Sequence, residues 1–155
     1  ECGGVCMNLP ALFVEKMKAS HIEYVAMLEK ECFSTPWSED GLRAELGNPN
    51  ARFYVAFSGG RVVGYIGAHN ILGEVYITNV AVSKDFRRQG IGDTLITHLL
   101  NICANEEAEF VTLEVRESNS GAIALYEKTG FNNVGSRRNF YENPREDAIL
   151  MTYYF

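Results

Sequence analysis

Apolar positions along the chain fall into runs with two kinds of spacing. Over residues 91–105 they recur at the intervals of one helix face, which predicts a long amphipathic helix. Over residues 111–115 they alternate with polar residues, which predicts a strand with one apolar face. Both kinds of run recur along the chain, so the sequence predicts a mixture of strands and helices.

Turn and capping residues bound the other predicted elements. Ser20 and Glu23 have the spacing of a capping box at a helix start, and Ser38 can cap a second short helix. Gly59 and Gly60 fit a hairpin turn, because glycine adopts positive φ without strain. The predicted strands are 12–17, 53–57, 62–71, 75–82, 111–115, 131–139 and 149–154, and the predicted helices are 20–32, 38–47, 91–105 and 120–128.

The order of these elements predicts an α/β fold in which α and β segments are mixed. It implies a mostly antiparallel sheet of about seven strands with helices on both faces. A length of 155 residues fits one domain, which we place at residues 11–155. Residues 1–10 show no periodicity and no signal-peptide pattern, so we interpret them as a tail of no assigned function.

Charge and cysteine content argue against several function classes. The formal net charge is −6, so the chain lacks the excess of Lys and Arg that nucleic-acid binding needs, although it can attract a basic peptide. No apolar run approaches the roughly 18 residues that a membrane helix requires. The four cysteines form no CxxC pair and no ligand spacing with histidine, which predicts no metal site and a reducing, cytoplasmic setting.

A basic loop with glycines joins the predicted strand that ends at Val82 to the long helix. Its sequence is Arg87-Arg88-Gln89-Gly90-Ile91-Gly92. A helix N-terminus presents unpaired N–H groups, and glycine leaves room for an anion to approach them. We therefore predict a pyrophosphate cradle to which both arginines add positive charge. The alternative is a tight turn with solvated arginines, and the spacing matches neither a P-loop nor a Rossmann fingerprint.

Stretches on both sides of this loop resemble one protein family. Arg-x-x-Gly-x-Gly, between a strand ending in Asn-Val-Ala-Val at 79–82 and an amphipathic helix, resembles the acetyl-CoA motif of the GNAT acetyltransferase superfamily. Phe-Ser-Thr-Pro-Trp-Ser at 33–38 and Leu-Glu-Val-Arg-Glu-Ser-Asn at 113–119 resemble its ribosomal-protein-alanine N-acetyltransferase (RimI) branch. So do Ala-Ile-Ala-Leu-Tyr-Glu-Lys-Thr-Gly-Phe at 122–131 and Arg-Asn-Phe-Tyr at 138–141. The similarity runs from about residue 12 to residue 154.

The resemblance implies acetyl-CoA as co-substrate and a role for each matching position. Backbone groups of Val80 and Val82 should bind the pantetheine arm, and the amides of residues 88–92 should take the pyrophosphate. The sheet should splay between the strand ending at Val82 and the strand at 111–115, with the thioester in the gap. The cofactor-binding set so implied is Val80, Ala81, Val82, Arg87, Arg88, Gln89, Gly90, Ile91, Gly92, Asp93, Asn119 and Tyr126.

Glu114 and Tyr126 are the candidate base and acid. In acetyl transfer the amine must lose a proton, the oxyanion must be stabilised and the leaving thiolate should gain a proton. Glu114 shares the polar face of its strand with Thr112, and by pattern alone that face is solvated. Tyr126 by pattern alone packs in the core. The resemblance assigns Glu114 as base, directly or through water, Tyr126 as proton donor, and a backbone N–H near Val80 as oxyanion donor.

The acceptor site is less constrained by the sequence. Phe33, Trp37 and Tyr141, with the acidic Glu142 and Asp147, can frame a peptide groove, and the alternative for Trp37 is a core anchor. The resemblance implies acetylation of a protein N-terminal α-amine, with the N-terminal alanine of a basic small-subunit ribosomal protein as acceptor. Alternatives are a broader N-terminal or small-amine acetyltransferase and a non-catalytic acyl-CoA-binding module, because a fold does not fix a function.

Overall fold

The computed structural model describes residues 11–155, and its elements follow the predicted order. The strands are Leu12–Lys16 (β1), Ala51–Ser58 (β2), Arg61–Ile71 (β3), Glu74–Val82 (β4), Phe110–Arg116 (β5), Asn132–Tyr141 (β6) and Glu146–Tyr154 (β7). The helices are Ile22–Cys32 (α1), Glu39–Glu45 (α2), Ile91–Asn105 (α3) and Ser120–Lys128 (α4), with 3₁₀ turns at Ala19–His21 and Lys84–Phe86. The tail predicted at residues 1–10, with Cys2 and Cys6, lies outside the described residues.

All seven strands form one sheet in the order β1-β2-β3-β4-β5-β7-β6. Strands β4 and β5 are parallel, and the other neighbouring pairs are antiparallel. Helix α3 makes the crossover that a parallel pair requires. The prediction of a mixed α/β fold with a mostly antiparallel seven-stranded sheet is therefore confirmed.

Strands β4 and β5 pair over only three residues and then part. The pairing begins with Glu74 opposite Phe110 and ends with Tyr76 opposite Thr112. Beyond this point β4 continues along β3, while β5 continues along β7. The sheet therefore splays between these two strands, as the resemblance implied, and the gap lies toward their carboxyl ends.

Two apolar clusters, one on each face of the sheet, hold the helices. Helices α3 and α4 pack on one face, and helices α1 and α2 pack on the other with Leu42 and Val25 against Val55 and Tyr65. Among residues 11–155 no helix is both long and apolar enough to cross a membrane. The buried face of α3 consists of the residues whose spacing predicted the helix: Ile91, Leu95, Ile96, Leu99, Leu100 and Cys103.

Two of the predicted local motifs are confirmed. Ser38 caps α2, because its Oγ accepts the backbone N–H of Gly41 at 3.1 Å. Gly59 and Gly60 adopt φ values of 59° and 74° and close the β2–β3 hairpin. Both positions need little from the rest of the chain, so the local sequence is enough to predict them.

The capping box predicted at the start of α1 is wrong. Residues Ala19–His21 form a 3₁₀ turn, so Ser20 lies inside that turn rather than at a helix cap. The Nδ1 atom of His21 accepts the backbone N–H of Lys18 at 2.9 Å and takes over the capping role that was expected of Ser20 and Glu23.

The closing hairpin is longer than predicted. We predicted a polar loop at 142–147, but β6 and β7 are still paired at Tyr141 and Glu146. The carboxylate of Glu146 lies 3.2 Å from Nη1 of Arg116 in β5, and this ion pair keeps the polar end of β7 against the sheet.

Candidate active site

The free edge of β4 faces the gap between β4 and β5. The backbone N–H of Ser83 donates to Val63 O of β3 at 2.8 Å, so the backbone groups of alternate residues, Ala81 among them, point toward β3. The backbone groups of Val80 and Val82 therefore point into the gap. These two predicted residues lie where an extended ligand can add to β4 as a further strand.

The loop before α3 has the backbone conformation of an anion site. Arg88 and Gly90 both adopt left-handed conformations, with φ values of 62° and 78°. The N–H of Thr94 donates to Gly90 O at 3.0 Å, which leaves the amides of residues 91–93 without an acceptor inside the helix. Free amides at a helix start, next to left-handed residues, are a common arrangement for binding anions.

The two glycines of this loop serve different purposes. A Cβ on Gly90 would meet no atom within 4 Å, so the space beside it is open to a ligand. A Cβ on Gly92 would lie 2.8 Å from Cδ2 of Leu125, so this glycine lets α3 approach α4. Gly92 thus has a packing role that the sequence did not indicate, and its amide is one of the free donors.

Two charged side chains of the predicted cradle are engaged elsewhere. The Nε of Arg87 donates to Val82 O at 3.2 Å, so its guanidinium lies against the end of β4. The carboxylate of Asp93 lies 3.2 Å from the ammonium of Lys128. Both arginines of the loop are exposed, and Arg87 is in addition bonded to the end of β4.

Glu114 points from β5 toward the face of the sheet that carries α1. Its neighbours Leu113 and Val115 belong to the cluster under α3, so strand alternation places Glu114 on the opposite face. Its side chain is only 5% exposed, and its Oε1 lies 3.6 Å from Nε of Arg137. Burial raises the pKa of Glu114, and the charge of Arg137 partly offsets that rise. The alternative of an ordinary solvated glutamate is therefore wrong.

Tyr141 lies within electrostatic range of this carboxylate and also of Tyr126. Tyr126 is 8% exposed and packs against Phe131 with ring centres 5.7 Å apart. Burial, and after it Tyr141, raises the pKa of Tyr126, so its hydroxyl stays protonated. Burial and then the charge of Glu114 raise the pKa of Tyr141 to about 12. Tyr141 is thus the residue that lies near each of the two candidate catalytic side chains.

Three other candidate residues also have structural roles. The Oδ1 of Asn119 accepts the N–H of Ala122 at 3.1 Å and caps α4. Phe33 and Trp37 are half-buried against the cluster under α1, and the ring centre of Trp37 lies 5.9 Å from that of Phe53. Trp37 is therefore a core anchor, as the alternative interpretation proposed, on the same face of the sheet as the Glu114 side chain.

The acidic groups expected beside Tyr141 are arranged differently. The carboxylate of Asp147 accepts the N–H of Asn139 at 2.7 Å, so it is used inside the β6–β7 hairpin. The carbonyl of Glu142 accepts Nη2 of Arg116 at 3.0 Å. The guanidinium of Arg116 lies 4.5 Å from the ring centre of Tyr141. The Arg116 guanidinium therefore borders this tyrosine on one side, and the Glu114 carboxylate acts on it as well.

One buried carboxylate, Glu29 of α1, was not among the residues predicted from the sequence. It is completely buried and accepts hydrogen bonds from the Tyr65 hydroxyl, the Asn79 side chain and the Trp37 backbone N–H. The sequence did contain an indication, because position 29 lies on the apolar face of α1 and a charged residue there needs partners.

The sequence model of the Acetyltransferase (GNAT) family matches residues 22–131. These residues include β4, the loop before α3, β5 and α4, which together form the gap and its surroundings. The chain belongs to the acetyltransferase (GNAT) family. As a GNAT protein, it is an acetyl-CoA-dependent N-acetyltransferase.

Named relatives of this GNAT chain align over most of its length. The [ribosomal protein bS18]-alanine N-acetyltransferase of Escherichia coli (strain K12) is 33% identical over 140 residues, which are 89% of this chain and 94% of that protein. The N-alpha-acetyltransferase RimI of Mycobacterium tuberculosis is 35% identical over 133 residues, 81% of this chain and 82% of that protein. The crystal structure of the ribosomal-protein-S18-alanine N-acetyltransferase from Escherichia coli gives a TM-score of 0.86 at 31% identity, covering 93% of this chain and 94% of that one. The resemblance to this branch of the GNAT family is therefore confirmed.

Replacing Arg137 by glutamine is expected to raise the pKa of Glu114 in this GNAT enzyme. The guanidinium stabilises the ionised carboxylate, so its loss removes the larger of the two influences that oppose burial and moves the titration to higher pH. The pKa is measured from the NMR shift of the Glu114 carboxyl, assigned by its absence from Glu114→Gln. Arg138→Gln removes the same charge from an exposed neighbour and should leave the titration unchanged. An unchanged or lowered pKa in Arg137→Gln would contradict this account.

Proposed function

We propose that this protein transfers acetyl from acetyl-CoA to the N-terminal alanine of a small-subunit ribosomal protein. The structural observation that carries the proposal is the buried carboxylate of Glu114, which lies beside the gap on the face that carries α1. Relatives named for this reaction support it, at 33% identity over 89% of the chain. The net charge of −6 suits a basic acceptor protein, and a ribosomal acceptor would place the reaction in the cytoplasm.

The donor is proposed to lie along β4 and the start of α3. Acetyl-CoA supplies an activated acetyl group and a thiol leaving group. The amides of residues 88–92, with that of Asp93, hold the pyrophosphate, since the space beside Gly90 is open and the first amides of α3 are free. The backbone of Val80 and Val82 pairs with the pantetheine arm. The side-chain amide of Asn119 contacts that arm or the phosphates, and an N–H near Val80 is the proposed oxyanion donor.

Glu114 is the proposed base. The α-ammonium of a protein has a pKa of about 8 and must lose a proton before the amine can attack. Burial raises the pKa of Glu114, which brings its proton affinity closer to that of the amine. Arg137 limits this rise and favours the ionised carboxylate in the resting enzyme. The proton reaches Glu114 directly or through one water molecule.

Tyr126 is the proposed acid. Burial raises the pKa of its hydroxyl, so the proton stays on the oxygen until the thiolate departs and accepts it. Phe33 and Trp37 on the α1 side, with Tyr141 on the β6 side, are proposed to border the first residues of the acceptor. All three lie near the face toward which Glu114 points.

Gly90→Trp should weaken acetyl-CoA binding by about tenfold or more, because the indole would occupy the open space beside the free amides. The dissociation constant is measured by calorimetry. Gly60→Trp is the matched control, since Gly60 has a similar φ of 74° and equally open surroundings, but lies in the β2–β3 hairpin. Equal acetyl-CoA affinity in the two variants would count against the cradle.

Glu114→Gln and Tyr126→Phe should each lower kcat by about a hundredfold, because each removes one proton-transfer group, while the acetyl-CoA dissociation constant stays within about twofold. Turnover is followed by thiol release under saturating acetyl-CoA. Glu109→Gln, an exposed charge neutralisation just before β5, should leave kcat unchanged. Wild-type turnover in both active-site variants would remove the basis for the proposed mechanism.

The acceptor is tested with a panel of N-terminal peptides, free lysine and polyamines. A basic peptide that starts with alanine should give the highest kcat/KM. Equal rates on peptides with many different first residues would favour a broader N-terminal acetyltransferase. Acetylation of polyamines alone, or of nothing despite acetyl-CoA binding, would overturn the proposed function.

A further inference from the structure

Glu29 of α1 is completely buried, and its carboxylate accepts hydrogen bonds from three separate parts of the chain. The hydroxyl of Tyr65 in β3 and the side-chain amide of Asn79 in β4 donate to Oε1. The backbone N–H of Trp37, in the connection between α1 and α2, donates to Oε2 at 3.2 Å. One side chain thus joins a helix, two strands and a loop on the face toward which Glu114 points.

Packing alone does not explain a carboxylate at this position. A buried carboxylate is costly unless donors surround it, and apolar residues of similar volume often stabilise a protein at least as well. Unlike an apolar side chain, the carboxylate forms directional hydrogen bonds, and its three donors fix the relative positions of the elements that carry them. Burial, and then the charge of Glu29, raises the pKa of Tyr65, so the hydroxyl remains a donor.

The loop that Glu29 holds carries two of the candidate acceptor residues. Residues 33–38 lie outside the helices and strands. At the start of this loop, the N–H of Phe33 donates to the backbone O of Glu29 at 2.9 Å, and near its end Trp37 donates to the side chain. The Trp37 ring then packs on Phe53, with ring centres 5.9 Å apart. Glu29 therefore contacts both ends of the loop.

Asn79 connects this loop to the gap. It directly precedes Val80, at the position where the register of β3 and β4 shifts between Gly67 and Ala68. Through Glu29, the loop is held at a fixed position relative to the β4 edge along which acetyl-CoA is proposed to lie. The distance between an acceptor on the loop and a donor on β4 is therefore set by this carboxylate.

We propose that Glu29 is a positioning residue for the acceptor: it ties the loop 33–38 to β4 so that the acceptor amine meets the acetyl group. This inference rests on the proposed function. It predicts that Glu29 acts on the acceptor and not on the binding of acetyl-CoA, since the anion site at residues 88–93 makes no contact with it in the described hydrogen-bond network.

Glu29→Gln tests this role with nearly unchanged shape. A carboxamide replaces one acceptor oxygen with an NH₂ group, so at least one of the three donors faces another donor. The KM for the alanine-starting peptide should rise about tenfold, the size expected when one buried hydrogen bond to a charged group is lost. The acetyl-CoA dissociation constant should stay within about twofold. Glu23→Gln removes the same charge from the exposed side of α1 and should change neither quantity.

Trp37 provides a second measurement that needs no acceptor. It is the single tryptophan of the chain, so its fluorescence reports on the loop directly. In Glu29→Gln the rate constant of acrylamide quenching should rise at least about twofold as the loop loosens, and in Glu23→Gln it should match the wild type. If the wild type acetylates no peptide while this difference persists, the proposed function fails and the link between Glu29 and the loop stands.

Tyr65→Phe is the milder variant if Glu29→Gln does not fold. It removes one donor and keeps the carboxylate. The KM for the peptide and the rate constant of acrylamide quenching should therefore both rise, by a smaller factor than in Glu29→Gln. A folded variant with wild-type peptide KM and wild-type quenching would overturn the proposal. So would an equal loss of acetyl-CoA affinity, because Glu29 would then act on the donor site as well.

Discussion

The parting of β4 and β5 is the constraint on which the rest of the site depends. An inner strand of a sheet normally pairs on both sides, but β4 loses β5 after Tyr76 and continues along β3 alone. Backbone groups that lose a strand partner must bond to water or to a ligand. A donor molecule with amide groups of its own can replace the missing strand. The backbone of the gap therefore suits the extended, amide-containing donor proposed to bind there.

The two sides of the gap are held by separate contacts. On the β4 side, Asn79 is bound to Glu29 of α1. On the β5 side, Nη1 of Arg116 donates to Pro144 O at 2.9 Å and lies 3.2 Å from Glu146. Because each strand end is attached to a different element, the gap does not need a contact across it. The donor meets an edge that is already formed, which lowers the ordering cost of binding.

The sequence predicted those features whose cause is local. Helix α3 was predicted to both of its ends because its apolar spacing is regular. The start of α1 was predicted wrongly, because it depends on contacts of the His21 ring. The ring nitrogen accepts a Lys18 N–H, and the ring packs on Phe57 with ring centres 5.0 Å apart. Two of the three partners of Glu29 lie 36 and 50 residues away in sequence, so no local pattern identifies them. The roles of Glu114 and Tyr126 came from resemblance, because pattern alone favoured a solvated face and a core tyrosine.

Two buried carboxylates, Glu29 and Glu114, point to this face of the sheet, and their hydrogen-bonding surroundings differ. Both oxygens of Glu29 accept hydrogen bonds from neutral donors, three in all, so this carboxylate is fixed in place. Glu114 is paired only loosely, with Arg137 at 3.6 Å, and that arginine side chain is 57% exposed and can move away. Burial raises the pKa of Glu114, so its carboxylate binds a proton more readily than the carboxylate of an ordinary glutamate does. These surroundings support the proposed division of roles, in which Glu29 holds the acceptor loop and Glu114 takes the proton.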